Sequence, residues 1–200
     1  MKTLHMDRLV QQIQFIVEVD KLKSIQRQSM VTDRTRQEND AEHSWHLALM
    51  AMMLAEHANE PDLNVMRVIQ MVLIHDLVEI DAGDTFAYDD KGQEDKAERE
   101  QLAAERLFGL LPDYQRALFF ELWNEFEARN TPEARYAAAL DRLQPMLLNY
   151  HTDGAAWRKH GVTSDRVFKR NAHIAEGSEA LWRYAEQMIH DAVEKGFLQK

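Results

Sequence analysis

Histidine and acidic residues that could bind a cation occur at three separated places in this chain. They are Glu42 with His43, His75 with Asp76 and nearby Glu79, and finally Asp141. Asp76 lies within the apolar run VLIHDLVEI, and Asp141 lies within YAAALDRLQPMLL. Because an unpaired carboxylate costs several kcal/mol to bury, two carboxylates in core-forming segments require a compensating cation. The pattern therefore predicts a cation site.

The candidate ligands are of one chemical kind, two imidazoles and two carboxylates, contributed by three predicted helices. They are His43, His75, Asp76 and Asp141. This hard-to-borderline set suits a divalent Mn, Fe, Co, Mg or Zn ion, and the sequence leaves the choice of metal open. A histidine next to an aspartate on a helix is, taken alone, more often a structural hydrogen bond or a surface ion pair. On the residues alone, both interpretations stay open.

Two further acids are placed to act beside such a site. On a helix, Glu79 lies four residues after His75 and three after Asp76, so its carboxylate projects on the same face. A non-ligating acid next to a metal that activates water suits a general base. Asp84 follows the turn Asp81-Ala82-Gly83 and is positioned to return to the same opening.

Helices must position these residues, because apolar residues recur at three- and four-residue spacing and no strand-like alternation is present. The predicted helices are Leu9 to Leu22, Ala41 to about Ala58 capped by Asp40, Val65 to about Ile80, about Gln93 to Leu110, one after Pro112, one opened by Thr131-Pro132 and running through Asn149, one from about Ser164, and one from Gly177-Ser178 to near Gly196. The Val65 helix is apolar on most sides and is the expected central helix. Residues 81–92 and 152–163 are predicted loops. We expect an all-α fold of seven or eight helices, forming one domain over residues 1–200.

Composition excludes several classes of protein. The 200 residues carry 24 Lys and Arg against 34 Asp and Glu, a formal net charge of -10, which disfavours binding to nucleic acid or anionic membranes. The chain has no Cys, which excludes disulfide scaffolds, thiolate metal sites and cysteine nucleophiles and favours a cytosolic location. No run reaches the roughly 18 apolar residues of a membrane span, and polar residues near the N-terminus argue against a signal peptide.

The order His43, then His75-Asp76, then Asp141 resembles the H…HD…D signature of the HD-domain metal-dependent phosphohydrolases. The segments ENDAEHSWHLALMAMMLAEHA, LIHDLVEIDAGDTFAYD and LDRLQPML resemble, more narrowly, the 5′-deoxynucleotidase branch of that family. The similarity runs from about residue 22 to at least residue 149, with the C-terminal helices, about 164–196, expected to pack on this core.

The resemblance implies one divalent metal bound by the four candidate ligands inside a helical fold. It implies that Glu79 activates or orients the attacking water, and that Asp84 belongs to the catalytic set and contributes to substrate binding. Whether these two acids hold a second cation, as in some relatives, stays open. The implied reaction is hydrolysis of a 2′-deoxynucleoside 5′-monophosphate to deoxynucleoside and phosphate, and relatives of this kind are typically homodimers.

A dianionic phosphate in an acidic protein needs local positive charge. The polar segment before the second helix offers Arg27, Arg34 and Arg36, of which Arg27 is expected to contact the substrate phosphate. Relatives place a tryptophan at or just after this arginine, whereas this chain has Arg27 followed by Gln28, which leaves the sugar preference open.

Alternative functions are hydrolysis of another nucleotide or phosphate ester, and a catalytically idle metal-binding module. The pair Glu79 and Asp84 favours an enzyme. For the dimer, six aromatic residues either form an exposed contact patch or cap a single core. They are Trp123, Phe126, Trp157, Phe168, Trp182 and Phe197.

Overall fold

The computed structural model describes residues 2–89 and 91–200, with backbone alone for residues 2–6. Asp90, inside the predicted loop, lies outside the described residues. The helices are α1 Lys2–Val19, α2 Asp40–Leu54, α3 Val65–Ile74, α4 Glu79–Ala82, α5 Lys96–Phe108, α6 Asp113–Ala128, α7 Pro132–His151, α8 Ala155–Lys159, α9 Ser164–Asn171, α10 Ile174–Gly177 and α11 Glu179–Glu194. Three 3-10 turns cover Asp20–Ser24, Ala55–His57 and His75–Val78, and two strands are β1 Gln26–Met30 and β2 Gln37–Asn39. The all-α prediction is confirmed, and eight helices in the described residues are at least eight residues long.

The central helix is α7, not the predicted helix from Val65. Thr131 caps it by accepting a hydrogen bond from Ala134 N, and Pro132 occupies its first turn. The small residues Ala137, Ala138 and Ala139 are buried, which allows neighbouring helices to approach closely. Helices α2, α3, α6, α10 and α11 all contact α7. By contrast, α3 leaves Met66 and Leu73 exposed, so it is less buried than its apolar sequence predicts.

The predicted Val65 helix is interrupted at the candidate ligands His75 and Asp76. The α-helical hydrogen bonding of α3 ends at Ile74, the residues His75–Val78 form a 3-10 turn, and α4 starts at Glu79. In the tighter 3-10 geometry, side chains three residues apart lie one above the other. Asp76 and Glu79 therefore face the same side, as expected, but through a turn rather than a continuous α-helix.

A short hairpin replaces the predicted irregular segment before α2. Strands β1 and β2 pair antiparallel, with Gln26 opposite Asn39 and Met30 opposite Gln37. Their polar sequences, QRQSM and QEN, lack the alternation that marks a strand. Strand β1 packs on α7 and α8, so tertiary contacts supply what the local pattern does not.

The cap of α2 differs from the predicted one. Asn39 accepts a hydrogen bond from Glu42 N, and the Glu42 carboxylate accepts one from Asn39 N, which makes a capping box. Arg36 donates two hydrogen bonds of 2.7 Å to the same Glu42 carboxylate. Glu42 is therefore a capping residue and not part of the cation site. Asp40 is the first residue of α2 and not its cap, and it is fully buried.

Other boundaries shift by a few residues. Helix α1 starts well before Leu9, α5 starts at Lys96 instead of Gln93, and α6 follows Pro112 as predicted. The predicted 152–163 loop contains α8. Of the six aromatic residues, three are buried and three are partly buried against the core, so they do not form an exposed patch.

Candidate metal centre and catalytic site

A cavity of about 330 Å³ lies between β1, the α3–α4 turn, α5 and α7. Its lining includes six residues singled out from the sequence, namely Arg27, His75, Asp76, Glu79, Asp84 and Asp141. His43 is fully buried behind this wall and contacts Asp141. The fold thus brings together residues that are separated by up to 114 positions in the chain, from Arg27 to Asp141.

The four candidate ligands converge on one point. His43 Nε2 lies 3.1 Å from Asp141 Oδ1 and 3.8 Å from Asp76 Oδ2. His75 Nε2 lies 3.0 Å from Asp76 Oδ1 and 3.7 Å from Asp141 Oδ1. Ligand atoms of His43, His75 and Asp141 all lie within 4.8 Å of one another.

Outer hydrogen bonds fix which nitrogen of each imidazole points inward. His75 Nδ1 donates to the Val72 carbonyl at 2.9 Å, because a carbonyl only accepts. His43 Nδ1 lies 2.9 Å from Gln144 Oε1, and the Gln144 amide is oriented by its donation to Glu38 Oε1 at 2.6 Å. A neutral imidazole in either position therefore aims the lone pair of Nε2 at the carboxylates.

This arrangement fits a divalent cation. Lone pairs and carboxylate oxygens face one another across a small gap. The buried His75 Nε2 forms no hydrogen bond of good geometry with the described residues, although Asp76 Oδ1 lies 3.0 Å away. In the absence of a cation, protons take its place. Burial alone would lower the pKa of His75, but the carboxylates of Asp76 and Asp141 raise it to about 10. Imidazole and carboxylate ligands of this kind suit borderline or hard divalent ions.

The carboxylates of the centre are strongly acidic. Burial alone would raise the pKa of Asp141, but Arg142 and the two histidines hold it well below its usual range. His75 and Arg27 similarly keep the pKa of Asp76 low despite burial. Both groups therefore remain ionised, as metal ligands must be.

A second acidic cluster, formed by Asp40, Glu79 and Asp84, adjoins the first. Gly83, at φ 76° and ψ 145°, turns the chain after α4 so that Asp84 reaches the cavity, a conformation that strongly favours glycine. Burial and the neighbouring carboxylates raise the pKa of Glu79 well above its usual value and that of Asp40 to about 7. The Glu79 Oε2 atom is buried and has no hydrogen-bond partner among the described residues.

Arg27 joins the two acidic groups. Its Nη1 donates to Asp40 Oδ1 at 3.0 Å and to Asp76 Oδ2 at 2.9 Å, and its Nε lies 3.7 Å from Glu38 Oε2. The guanidinium lines the cavity, but it is largely committed to carboxylates of the protein. Sequence reasoning did not anticipate this ion-pair role.

Several site residues were missed in the sequence. Asp40 was assigned to capping, and Glu38 and Gln144 carried no motif. Four cations of the cavity lining were also missed, namely Lys96, Arg129, Arg142 and Arg170. Conversely, Arg34 pairs with Asp153 and Arg36 with Glu42, so neither supplies charge to the cavity. The polar residues Arg142 and Gln144, one turn or less from Asp141 on an apolar helix, were the available signal.

Comparison with known proteins agrees with this geometry. The profile of the HD domain matches residues 19–182. The chain belongs to the HD-domain family. This membership confirms the resemblance drawn from the H…HD…D order.

Individual relatives are similar over different shares of the chain. The human 5′-deoxynucleotidase HDDC2 is 32% identical over 136 residues, which are 68% of this chain and 65% of the human protein. The Xenopus laevis protein of the same name is also 32% identical, over 68% of this chain and 66% of its own length. The chain thus matches slightly less than two thirds of the length of these relatives.

Solved structures agree over a larger share. A predicted metal-dependent phosphohydrolase from Magnetospirillum magnetotacticum is 54% identical and superimposes with a TM-score of 0.93 over 97% of both chains. A conserved hypothetical protein from Pyrococcus furiosus, at 22% identity and a TM-score of 0.62, shares the fold. Within the part of the chain that the structure describes, no helix combines the length and apolar character needed to cross a membrane.

Proposed function

We propose that this chain is a metal-dependent phosphomonoesterase that hydrolyses 2′-deoxynucleoside 5′-monophosphates to deoxynucleoside and phosphate. The observation that carries the proposal is the convergence of two imidazole Nε2 atoms and two ionised carboxylates beside Glu79, at a cavity of about 330 Å³. The similarity to proteins named 5′-deoxynucleotidase supports the substrate class.

His43, His75, Asp76 and Asp141 would hold one divalent cation. When bound, such an ion polarises a phosphoryl oxygen and makes water a stronger nucleophile near neutral pH. Gln144 and the Val72 carbonyl orient the two imidazoles for this task through their Nδ1 atoms. Arg27 holds Asp76 in place from the cavity side.

Glu79 is the proposed proton acceptor. A water molecule attacks phosphorus in line with the ester oxygen, and its proton passes to the free Glu79 carboxylate. The bond between phosphorus and the 5′ oxygen breaks, and the leaving oxygen takes up the proton that Glu79 accepted, which gives the deoxynucleoside alcohol and returns Glu79 to its ionised form. The raised pKa of Glu79 makes its carboxylate a better proton acceptor than an exposed one.

Arg27 and Asp84 are the proposed substrate contacts. The Nη2 atom of Arg27 donates no hydrogen bond to the described residues, which leaves it available for a phosphate oxygen. Asp84 stands where the chain returns to the cavity after Gly83 and is suited to accept a hydrogen bond from a sugar hydroxyl.

We also propose a cytosolic homodimer. Helix α2 exposes four apolar residues at helical spacing, namely Trp45, Leu49, Met52 and Met53. A large apolar face of this kind is typical of a contact surface between subunits. The lack of cysteine fits a reducing compartment. Light scattering of the wild type and of Met53→Glu tests the dimer, and a monomeric wild type would refute it.

The function is tested by phosphate release from all ribo- and deoxyribonucleoside 5′-monophosphates. Chelator-treated protein is assayed alone and with Mn, Co, Mg, Fe or Zn. We expect metal-dependent release from deoxynucleotides and much less from ribonucleotides. Tight metal binding without turnover of any nucleotide would overturn the substrate assignment, and the assay would then be extended to other phosphate esters.

A further inference from the structure

The cavity has a cationic side that the metal centre does not use. Arg142 follows the candidate ligand Asp141 on α7, Arg170 lies on α9, and Arg129 follows the last residue of α6. All three line the same cavity as Glu79 and Asp141. Three separate helices therefore deliver guanidinium groups to one wall.

Arg142 and Arg170 differ from the other cations of the cavity because neither forms a close ion pair with the described residues. Arg27 donates to two carboxylates, and Lys96 Nζ lies 2.8 Å from Glu100. By contrast, the ion pair of Arg142 is a contact of 3.9 Å from Nε to Asp141 Oδ2, and Arg170 forms no ion pair with the described residues. The Nε atoms of Arg142 and Arg170 are buried and have no hydrogen-bond acceptor there.

Mutual repulsion makes this arrangement costly in the absence of an anion. Burial and the nearby Arg142 lower the pKa of Arg170 to about 10. Glu127, which also lines the cavity, forms no ion pair with these arginines among the described residues. Burial raises its pKa, and the charge of Arg129 acts in the opposite direction. Asp141 offsets part of the positive charge of Arg170, which forms no ion pair with the described residues.

The backbone conformation of Arg129 also indicates a ligand site. It ends α6 in the left-handed conformation, at φ 51° and ψ 31°, a position where glycine or asparagine is favoured. A long cationic residue occupies this position although its backbone conformation is unfavourable. Such positions cluster at ligand sites, where the side chain serves a purpose.

We propose that Arg142 and Arg170, assisted by Arg129, form an anion subsite that binds the non-bridging oxygens of a phosphate monoester and of the inorganic phosphate product. The subsite rests on the proposed function for its place in the reaction. The carboxylates of Asp40, Glu79 and Asp84 repel a dianion, and planar guanidinium groups offer paired donors that match phosphate oxygens. Arg142 and Arg170, which line the same cavity, offset that repulsion.

The test uses the metal-loaded full chain and inorganic phosphate as the probe. Phosphate affinity is measured by calorimetry and as product inhibition for the wild type, Arg170→Gln, Arg142→Gln and Arg170→Lys. We expect each glutamine variant to weaken phosphate binding about tenfold or more, because a charge-assisted hydrogen bond is lost. Arg170→Lys keeps the charge, so its phosphate affinity is expected to lie between that of the wild type and that of Arg170→Gln.

Lys169→Gln is the matched control, because Lys169 is exposed on α9 and its replacement removes the same charge outside the cavity. Metal content and thermal unfolding are measured for every variant. If Arg142→Gln fails to fold or loses metal, Arg170→Gln decides alone. Phosphate affinity in Arg170→Gln within about twofold of the wild type would overturn the subsite.

Failure of the subsite and failure of the proposed function give different results. A wild type that hydrolyses deoxynucleotides, together with an Arg170→Gln variant of unchanged KM and phosphate inhibition, refutes the subsite and leaves the function standing. A wild type that binds inorganic phosphate through these arginines but hydrolyses no deoxynucleotide supports the subsite and refutes the function.

Discussion

Replacing the fully buried Gln144 by leucine is expected to weaken metal binding through His43. The Gln144 amide accepts from His43 Nδ1 at 2.9 Å and donates to Glu38 Oε1 at 2.6 Å, so it determines which nitrogen of His43 carries the proton. In Gln144→Leu the proton is free to move to Nε2, which faces Asp141 Oδ1 at 3.1 Å. That tautomer has no lone pair for a metal.

The magnitude follows from the groups left without partners. Leucine fills a similar volume, so little cavity term is expected. His43 Nδ1–H and Glu38 Oε1 each lose a buried partner, at about 1–3 kcal/mol per group, so the free energy of unfolding is expected to fall by about 2–6 kcal/mol. Loss of the outer hydrogen bond to a ligating histidine is expected to weaken metal affinity roughly 10- to 100-fold.

Metal affinity is measured by competition with a chromophoric chelator. Stability is measured by urea unfolding of the metal-free protein. Ile189→Ala is the control, because this fully buried residue lies on α11 and its truncation costs a similar 2–5 kcal/mol or so without touching the centre. Gln144→Glu keeps an acceptor for His43 and should bind metal better than the leucine variant. Wild-type metal affinity in Gln144→Leu would refute the reasoning.

Four further outcomes are expected. Glu79→Gln keeps its bound metal by elemental analysis but loses turnover roughly 100-fold or more, and retained turnover would remove the assigned role. Asp141→Ala loses metal and turnover, and unchanged metal content would break the ligand assignment. In the metal-free protein, the free energy of unfolding of Glu38→Gln by urea is close to that of the wild type at pH 5 and about 3 kcal/mol higher at pH 8. Burial raises the folded pKa of Glu38 from 4.5 to about 7, so ionisation of Glu38 costs the wild type stability as pH rises through that window. Parallel pH profiles of the two proteins would contradict this. Gly177→Ala lowers the free energy of unfolding by about 1–3 kcal/mol, because its Cβ would lie 2.5 Å from the Arg135 carbonyl oxygen, and an unchanged Tm would contradict this contact.

Elements with strong local signals could be predicted from the sequence. Thr131-Pro132 fixes the start of α7, and Asn64 precedes α3 and caps it by accepting from Arg67 N. The hairpin could not be predicted, since its polar strands form only against α7 and α8. The break after Ile74 could not be predicted either, because the apolar periodicity continues through it.

The candidate site divides in the same way. A carboxylate in an apolar segment is visible in the sequence, since burial of an unpaired charge is costly, and this property alone singles out Asp76 and Asp141. Asp40 and Glu38 gave no such signal, because acidic residues are also common at helix caps and on exposed surfaces.

The sequence by itself therefore determined the chemistry of the centre: imidazole and carboxylate ligands, an adjacent acid and a helical frame. Only the tertiary structure decided which side chains complete it. It placed Arg27 between Asp40 and Asp76, oriented His43 through its contact with Gln144, and brought Arg129, Arg142 and Arg170 into the lining of the same cavity. The physical reason is that these contacts join residues far apart in the chain, and local periodicity reports which face of a helix is buried but not which side chain it meets there.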